Sequence, residues 1–267
     1  MAEKESEVEG LEHMFTNENA EPVHISYSVI ESITKTFYRV IGHGGFGTVY
    51  LGSLRNDPMV AVKLLHPSQD LSDTQFMAEV KCLTRVKHKN IVRFLGYCAY
   101  THEVVMKVEG IDRMVDIERK RFLCFEYAPN GNLQDYLEEK THGYQWSIRY
   151  KIIKGICQGL HYLHQKRINH LDLKPANVLM GGAQMEPMIT DFGISRHNDG
   201  TQSTIVTKNA KGTLGYMPPE LITEGKISSK SDIFSLGVIM RRLLMGSDDE
   251  NYTENAHDEE PLKAHDK

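Results

Sequence analysis

The chain has 267 residues, with 31 Lys+Arg against 36 Asp+Glu and a formal net charge of −5. Its 40% hydrophobic and 25% charged residues are an ordinary globular composition, which excludes collagen-like, mucin-like and wholly disordered classes. No apolar run approaches the ~20 residues of a membrane span, and the opening MAEKESEVEG lacks the basic and apolar regions of a secretion signal.

Ala2 stands where N-myristoylation requires glycine. Cys82, Cys98, Cys124 and Cys157 sit singly in apolar stretches without CxxC spacing, which predicts reduced, buried thiols. Charge is unevenly spread. Residues 1–36 hold two Lys and eight acids, as do residues 247–267, so each end carries −6 and residues 37–246 carry the remaining +7. Ends of this kind are expected to be solvated and poorly ordered, so 1–26 and 247–267 read as acidic polar tails. The basic middle favours anionic ligands without choosing among nucleotide, nucleic acid and lipid.

A strand is predicted from Phe37 to Ile41, followed by Gly42-His43-Gly44-Gly45-Phe46-Gly47 and a second run, Thr48–Leu51. β-formers on both sides of the glycines predict a hairpin. Side-chain-free backbone can lie close over phosphates and offer them amide N–H groups; a plain hairpin turn is the other reading. Pro58–Lys63 reads as the next strand and ends on Lys63, an ammonium in an apolar setting that needs an anionic partner. Residues 72–87 form a helical pattern with Phe76, Val80, Leu83 and Val86 on one face and Ser72 or Asp73 as cap. Glu79 on this helix could pair with Lys63, either to place it for phosphate oxygens or as a purely structural ion pair. Two further strands are predicted at Ile91–Tyr100 and Arg121–Tyr127, with 101–120 as a surface extension between them.

From about residue 130 the pattern becomes helical. Asn132–Glu139 suggests a short helix and Ile148–His164 a long one, with Ile152, Ile153, Ile156, Leu160 and Leu163 on one face. A boundary is therefore expected near Pro129-Asn130-Gly131. Next comes His170-Leu171-Asp172-Leu173-Lys174-Pro175-Ala176-Asn177-Val178-Leu179, with Asp191-Phe192-Gly193 following. In an extended loop Asp172 and Lys174 point the same way. Asn177 and Asp191 can converge as hard oxygen ligands, the donor set Mg²⁺ takes alongside phosphate oxygens. His161 and His164 read as helix-packing or surface residues.

Taken in order, the glycine loop, Lys63, Glu79, the decapeptide and Asp191-Phe192-Gly193 resemble the signature set of eukaryotic protein kinases. Gly44–Tyr50, Tyr127–Leu133, Gly159–His164 and Gly212–Met217 are most similar to the plant receptor-like and receptor-like cytoplasmic kinases, relatives of the interleukin-receptor-associated kinases. The resemblance covers roughly residues 27–246. It implies an α+β bilobal fold, with a β-rich amino-terminal lobe over 27–128 and a helical carboxyl-terminal lobe over 129–246 that lacks its last helices.

By position, the family implies that Ile41, Gly42, Gly44 and Gly47 cover ATP and that Lys63, paired with Glu79, meets its α- and β-phosphates. Val49, Ala61 and Leu179 would sandwich the adenine, with Glu126 and Ala128 offering backbone groups to its edge. Asp172 would orient the attacking hydroxyl and take its proton, Lys174 would steady the γ-phosphoryl group, and Asn177 with Asp191 would hold Mg²⁺. Lys174 two residues after Asp172 is the serine/threonine pattern, and the Thr213 hydroxyl is expected to bond the Asp172–Lys174 pair.

The implied function is a serine/threonine protein kinase in plant signalling, using ATP and Mg²⁺, with protein substrates and receptor-like kinases as partners. The expected location is the cytoplasm, with association to the plasma membrane through those partners and no nucleic-acid ligand. The alternative is a truncated, non-catalytic nucleotide-binding module that competes with full-length kinases.

Two departures stand out. Leu171 occupies the place of an Arg that in many kinases meets an activation-loop phosphate, so phosphate on Ser203, Thr204 or Thr207 is not expected to gate activity. Pro218-Pro219-Glu220 replaces the usual Ala-Pro-Glu. The helix around Ser231–Ile239 is apolar nearly all round, which predicts burial on every side. Because the family's last helices are expected to be missing after Gly246, part of that apolar surface is also expected to be uncovered.

Overall fold

The computed structural model describes residues 2–55, 58–66, 72–108, 111–138, 146–182, 184–191, 196–197, 205–206 and 212–245, in two units, 1–129 and 130–267. The class is α+β, with a sheet-rich first unit and a helical second.

In the first unit, six strands form one sheet: β1 (Val23–His24), β2 (Val40–Gly44), β3 (Gly47–Ser53), β4 (Met59–Leu65), β5 (Phe94–Val108) and β6 (Ile111–Glu126). Their order is β1-β5-β6-β4-β3-β2, antiparallel except for β1 beside β5. Side chains alternate across a strand, so register sorts the sheet into two faces. Val60, Val62, Phe122 and Cys124 share one face. It is buried against α1 (Ala2–Thr16) and α2 (Tyr27–Ile33) through Val8, Leu11, Met14, Val29, Ile30 and Ile33. Val49, Ala61, Lys63, Leu123 and Phe125 share the other face. There α3 (Asp73–Thr84) sets Phe76 edge-on to Tyr97, the β5 residue opposite Leu123.

Three expectations are corrected here. The amino-terminal segment is not a solvated tail, since residues 2–16 are a helix with Val8, Leu11 and Met14 in the core. A lone helix of this length is marginal, and each buried side chain contributes roughly 2 kcal/mol to holding it. Some of its acids serve the backbone: Glu7 Oε2 accepts the Ser26 N–H (2.7 Å) and Glu12 Oε1 that of Arg55 (3.0 Å). The first hairpin strand starts at Val40, not Phe37. Lys35, Thr36 and Phe37 adopt left-handed φ of 50°, 57° and 61°, an uncommon run for non-glycine residues. It swings the Phe37 ring onto Phe122, stacked at 5.7 Å. The α3 pattern is real, but the helix stops at Thr84; its cap is a reciprocal Ser72–Gln75 capping box. Within the 101–120 extension, β5 and β6 run on as a two-stranded ribbon through Val108 and Ile111.

The second unit contains α4 (Leu133–Glu138), α5 (Trp146–Gln165), β7 (Ile168–Asn169), a single 3₁₀ turn (Pro175–Asn177), β8 (Val178–Gly181), β9 (Glu186–Ile189), β10 (Arg196–His197), β11 (Ile205–Val206), α6 (Pro219–Glu224), β12 (Lys226–Ile227) and α7 (Ser229–Met245). Two-stranded antiparallel pairs join β8 to β9, β7 to β10 and β11 to β12. Ile152, Ile156 and Leu160 of α5 pack with Leu133, Leu173, Val178, Ile189, Leu236 and Ile239.

Helix α7 is not buried on every side. Asp232, Ser235, Leu236, Ile239 and Leu243 are buried, whereas Ile233, Phe234, Leu244 and Met245 are exposed. The apolar run extends round a helix of which one face meets the core.

Candidate active site

Three of the glycines in the first unit's hairpin have separable reasons. A Cβ on Gly47 would meet the Leu64 carbonyl oxygen at 2.3 Å, so the close approach of β4 requires glycine there. At Gly44 and Gly45 a Cβ would meet nothing within 4 Å, and neither has positive φ. Packing and backbone conformation therefore do not explain these two glycines. Open space above an N–H-bearing turn is what an approaching phosphate would fill.

Ile41 is half-buried on β2, with Gly42 opposite Val49. Val49 lies opposite Lys63, and Ala61 opposite Phe125, so Val49, Ala61 and Lys63 share a sheet face. The Lys63 ammonium stands 5.7 Å from the Phe46 ring centroid. Glu79 is half-buried on α3, the helix that lies on the Lys63 side of the sheet. Glu126 ends β6 and Ala128 is buried two residues on.

Arg93 and Glu126 form a two-way clamp. Arg93 N–H donates to Glu126 Oε1 at 2.7 Å and Glu126 N–H donates to the Arg93 carbonyl at 3.0 Å. Of the Glu126 backbone groups, only the carbonyl can then serve an adenine edge. Burial pushes the Glu126 carboxyl above its ordinary value, against the opposing pull of the Arg93 N–H.

In the second unit the polar groups converge. Asp172 is buried between its neighbours: Oδ1 accepts the Thr213 hydroxyl (2.7 Å), and Oδ2 accepts the Asn177 amide (3.1 Å) and lies 3.0 Å from Lys174 Nζ. Lys174 Nζ also donates to Thr213 Oγ1 at 2.7 Å. The bond expected from Thr213 to the Asp172–Lys174 pair is thus present. Asn177 Nδ2 bonds the Asp172 carbonyl as well (2.8 Å), which leaves the amide oxygen as the arm a hard cation would take. Thr190 N–H donates to the Asn177 carbonyl (2.9 Å), so Asp191, at φ 67°, follows directly on a residue tied to Asn177. A carboxylate and an amide oxygen are donor types that Mg²⁺ takes alongside phosphate oxygens. Leu179 is half-buried on β8. Phe192, Gly193, Ser203, Thr204 and Thr207 lie outside the described residues.

Sequence reasoning missed what holds this loop. The fully buried Asp232 carboxylate accepts the N–H groups of His170 (2.9 Å) and Leu171 (2.8 Å) and bonds His164 Nε2 (2.8 Å). His170, also fully buried, accepts the Asp172 N–H at Nδ1 (3.3 Å), which leaves Nε2–H to donate to the Thr190 carbonyl (2.8 Å). The available signal was an acid inside an apolar helical run, since acids are almost never fully buried unless paired. Burial raises all four cysteine thiols above their ordinary value, Cys98 to about 12.

Comparison with known proteins gives the family. The protein kinase domain family matches residues 36–264, and the chain belongs to it. Of three similar proteins from Arabidopsis thaliana, cysteine-rich receptor-like protein kinase 24 is 36% identical over 87% of this chain and 35% of its own length. Proline-rich receptor-like protein kinase PERK13 is 36% identical over 84% and 30%. A G-type lectin S-receptor-like serine/threonine-protein kinase is 37% identical over 86% and 28%. The chain thus spans about a third of the length of these relatives. The family implies use of ATP, usually with Mg²⁺, and protein substrates. No helix among the described residues is long and apolar enough to cross a membrane.

Proposed function

We propose that the chain is a serine/threonine protein kinase that transfers the γ-phosphoryl group of ATP to protein hydroxyls in plant receptor-like kinase signalling. The observation that carries this reading is the Thr213 hydroxyl held between the Asp172 carboxylate and the Lys174 ammonium. A serine or threonine hydroxyl of a substrate is chemically the same group. Asp172 would accept its proton as the oxygen attacks the γ-phosphorus and the bond to the leaving ADP oxygen breaks, with Lys174 balancing the charge on the moving phosphoryl group. Mg²⁺, when bound, would neutralise phosphate charge; Asn177 and Asp191 would hold it. In the first unit, the open hairpin backbone at Gly44 and Gly45 and the Lys63 ammonium would receive the phosphates. Val49 and Ala61 would meet the adenine ring together with Leu179, and Glu126 and Ala128 its edge.

The same set of groups favours an enzyme over a non-catalytic nucleotide-binding module. Receptor-like kinases are the proposed partners, at the cytoplasmic side of the plasma membrane. The test is ATP-dependent labelling of a generic Ser/Thr protein substrate by the wild type and by Asp172→Asn. Incorporation that disappears in the variant supports the reading; equal incorporation, or none despite Mg-ATP binding, overturns it.

A further inference from the structure

Among the described residues of the ribbon formed by 94–126 there is one buried cation, and the nucleotide reading does not use it. Arg121 is 6% exposed, and each of its five N–H donors has an acceptor. Nη1 donates to the carbonyls of Tyr100 (2.6 Å) and Lys120 (3.0 Å), and Nη2 to Thr101 Oγ1 (3.3 Å), all at the base of the ribbon. The remaining two go to a single atom of α3: Nε at 3.2 Å and Nη2 at 2.5 Å from Asp73 Oδ1. The guanidinium also lies 5.9 Å from the ring centroid of Phe76, one turn along the same helix. The pairing with Arg121 holds the Asp73 carboxyl below its ordinary value, although the Asp73 side chain is 65% exposed.

We infer that Arg121 is a positioning residue: it pins the first turn of α3 to the base of the β5–β6 ribbon and so sets where Glu79 stands on the Lys63 side of the sheet. Asp73 and Glu79 are six residues apart, about 9 Å along the helix axis. Phe76, Val80 and Leu83 form the buried apolar face of α3. Apolar contacts resist separation from the sheet but hold rotation and sliding weakly, because they are non-directional. A forked guanidinium bonded on one side to the helix and on the other to two strand carbonyls is directional. The ribbon of 101–120 thereby gains a role as the seat of the helix. The inference rests on the kinase reading of Lys63 and Glu79.

Asp73→Asn removes the charge on the α3 side and leaves the buried Arg121 and its backbone bonds in place. Loss of a well-oriented ion pair of this exposure shifts a two-state position by up to about 5-fold. In the full chain, the α3 amides are expected to exchange hydrogen up to about 5-fold faster, with those of α5 unchanged. Phosphoryl transfer should show a kcat lowered by a similar factor and a KM for ATP altered by less than about twofold. Asp73→Glu, which still reaches the fork, should restore most of both. Wild-type exchange in α3 of Asp73→Asn overturns the pin, as does a lowered kcat without faster exchange. Failure of the wild type to transfer phosphate overturns the kinase reading, and the exchange measurement still decides the pin.

Discussion

Asp232 offers the sharpest test of how the second unit is built. Substituting Asp232→Ala removes the acceptor of two backbone N–H groups, on His170 and Leu171, both of them buried residues. A buried donor left without a partner costs about 1–3 kcal/mol, so the two together cost roughly 2–6 kcal/mol. Relief from burying a carboxylate offsets part of this. His164, whose side chain is 18% exposed, can turn to water and adds little. A net loss of about 3 kcal/mol is expected, a large fraction of a domain's usual stability. Urea unfolding followed by helical circular dichroism measures the loss, and native-state exchange of the His170 and Leu171 amides localises it. Asp172 is the next residue along, so catalysis should fall further than the folded fraction does. A variant with the wild-type urea midpoint and protected His170 and Leu171 amides would refute the claim that this carboxylate holds the loop.

Gly44→Ala and Gly47→Ala should part company. The first meets open space and is expected to keep its melting temperature while weakening ATP binding; the second collides with the Leu64 carbonyl and should lose about 1–3 kcal/mol of stability, read by thermal unfolding. Leu171 packs with Leu221, Ile227 and Met217 and is 7% exposed, so its own side chain offers a phosphate no cation. Phosphatase-treated protein should therefore retain most of its activity, and protein that is inert until Ser203, Thr204 or Thr207 is phosphorylated would contradict this. Glu126 gives a pH dependence. Burial raises its folded-state value above the ordinary 4.5, so the folded chain holds this proton more tightly than the unfolded chain does. The contribution is full below about 4.5 and is lost as pH rises through the folded value. Glu126→Gln keeps the acceptor for Arg93 without the charge, so its urea midpoint should gain on the wild type from pH 4.5 to 8; a constant difference would be the wrong outcome.

The legible parts of the site were those in which chemistry and spacing coincide. Asp172, Lys174, Asn177 and Thr213 lie within a short loop and one later segment, and the side chains that the decapeptide suggested do bond one another. Val49, Ala61 and Lys63 fell on one sheet face because strand alternation is a local rule. Asp232 and Arg121 were not legible in that way. Each acts across a large sequence separation, and the value of a lone charged residue depends on which backbone groups the fold brings beneath it. Leu171 was noticed as a missing cation, but its φ of 68° and its apolar neighbours needed coordinates.

The amino-terminal helix shows how an aggregate charge conceals a pattern. Eight acids among the first 36 residues suggested solvent, yet Val8, Leu11 and Met14 recur at helical spacing and are buried with the sheet core. The turn after that helix is tied to the strands of the sheet. Arg93 Nη2 donates to the Asn17 carbonyl (2.8 Å), while its backbone clamps Glu126. Lys87 Nζ donates to the carbonyls of Asn19 and Ala20 and meets Glu21 at 2.9 Å. Two cations of the family-matched region thus take up carbonyl groups from residues that precede it. Shortening the chain to residue 36 would uncover the core face of β4 and β6 and release Arg93 from one of its partners, so the boundary of the matched family is not the boundary of the folding unit.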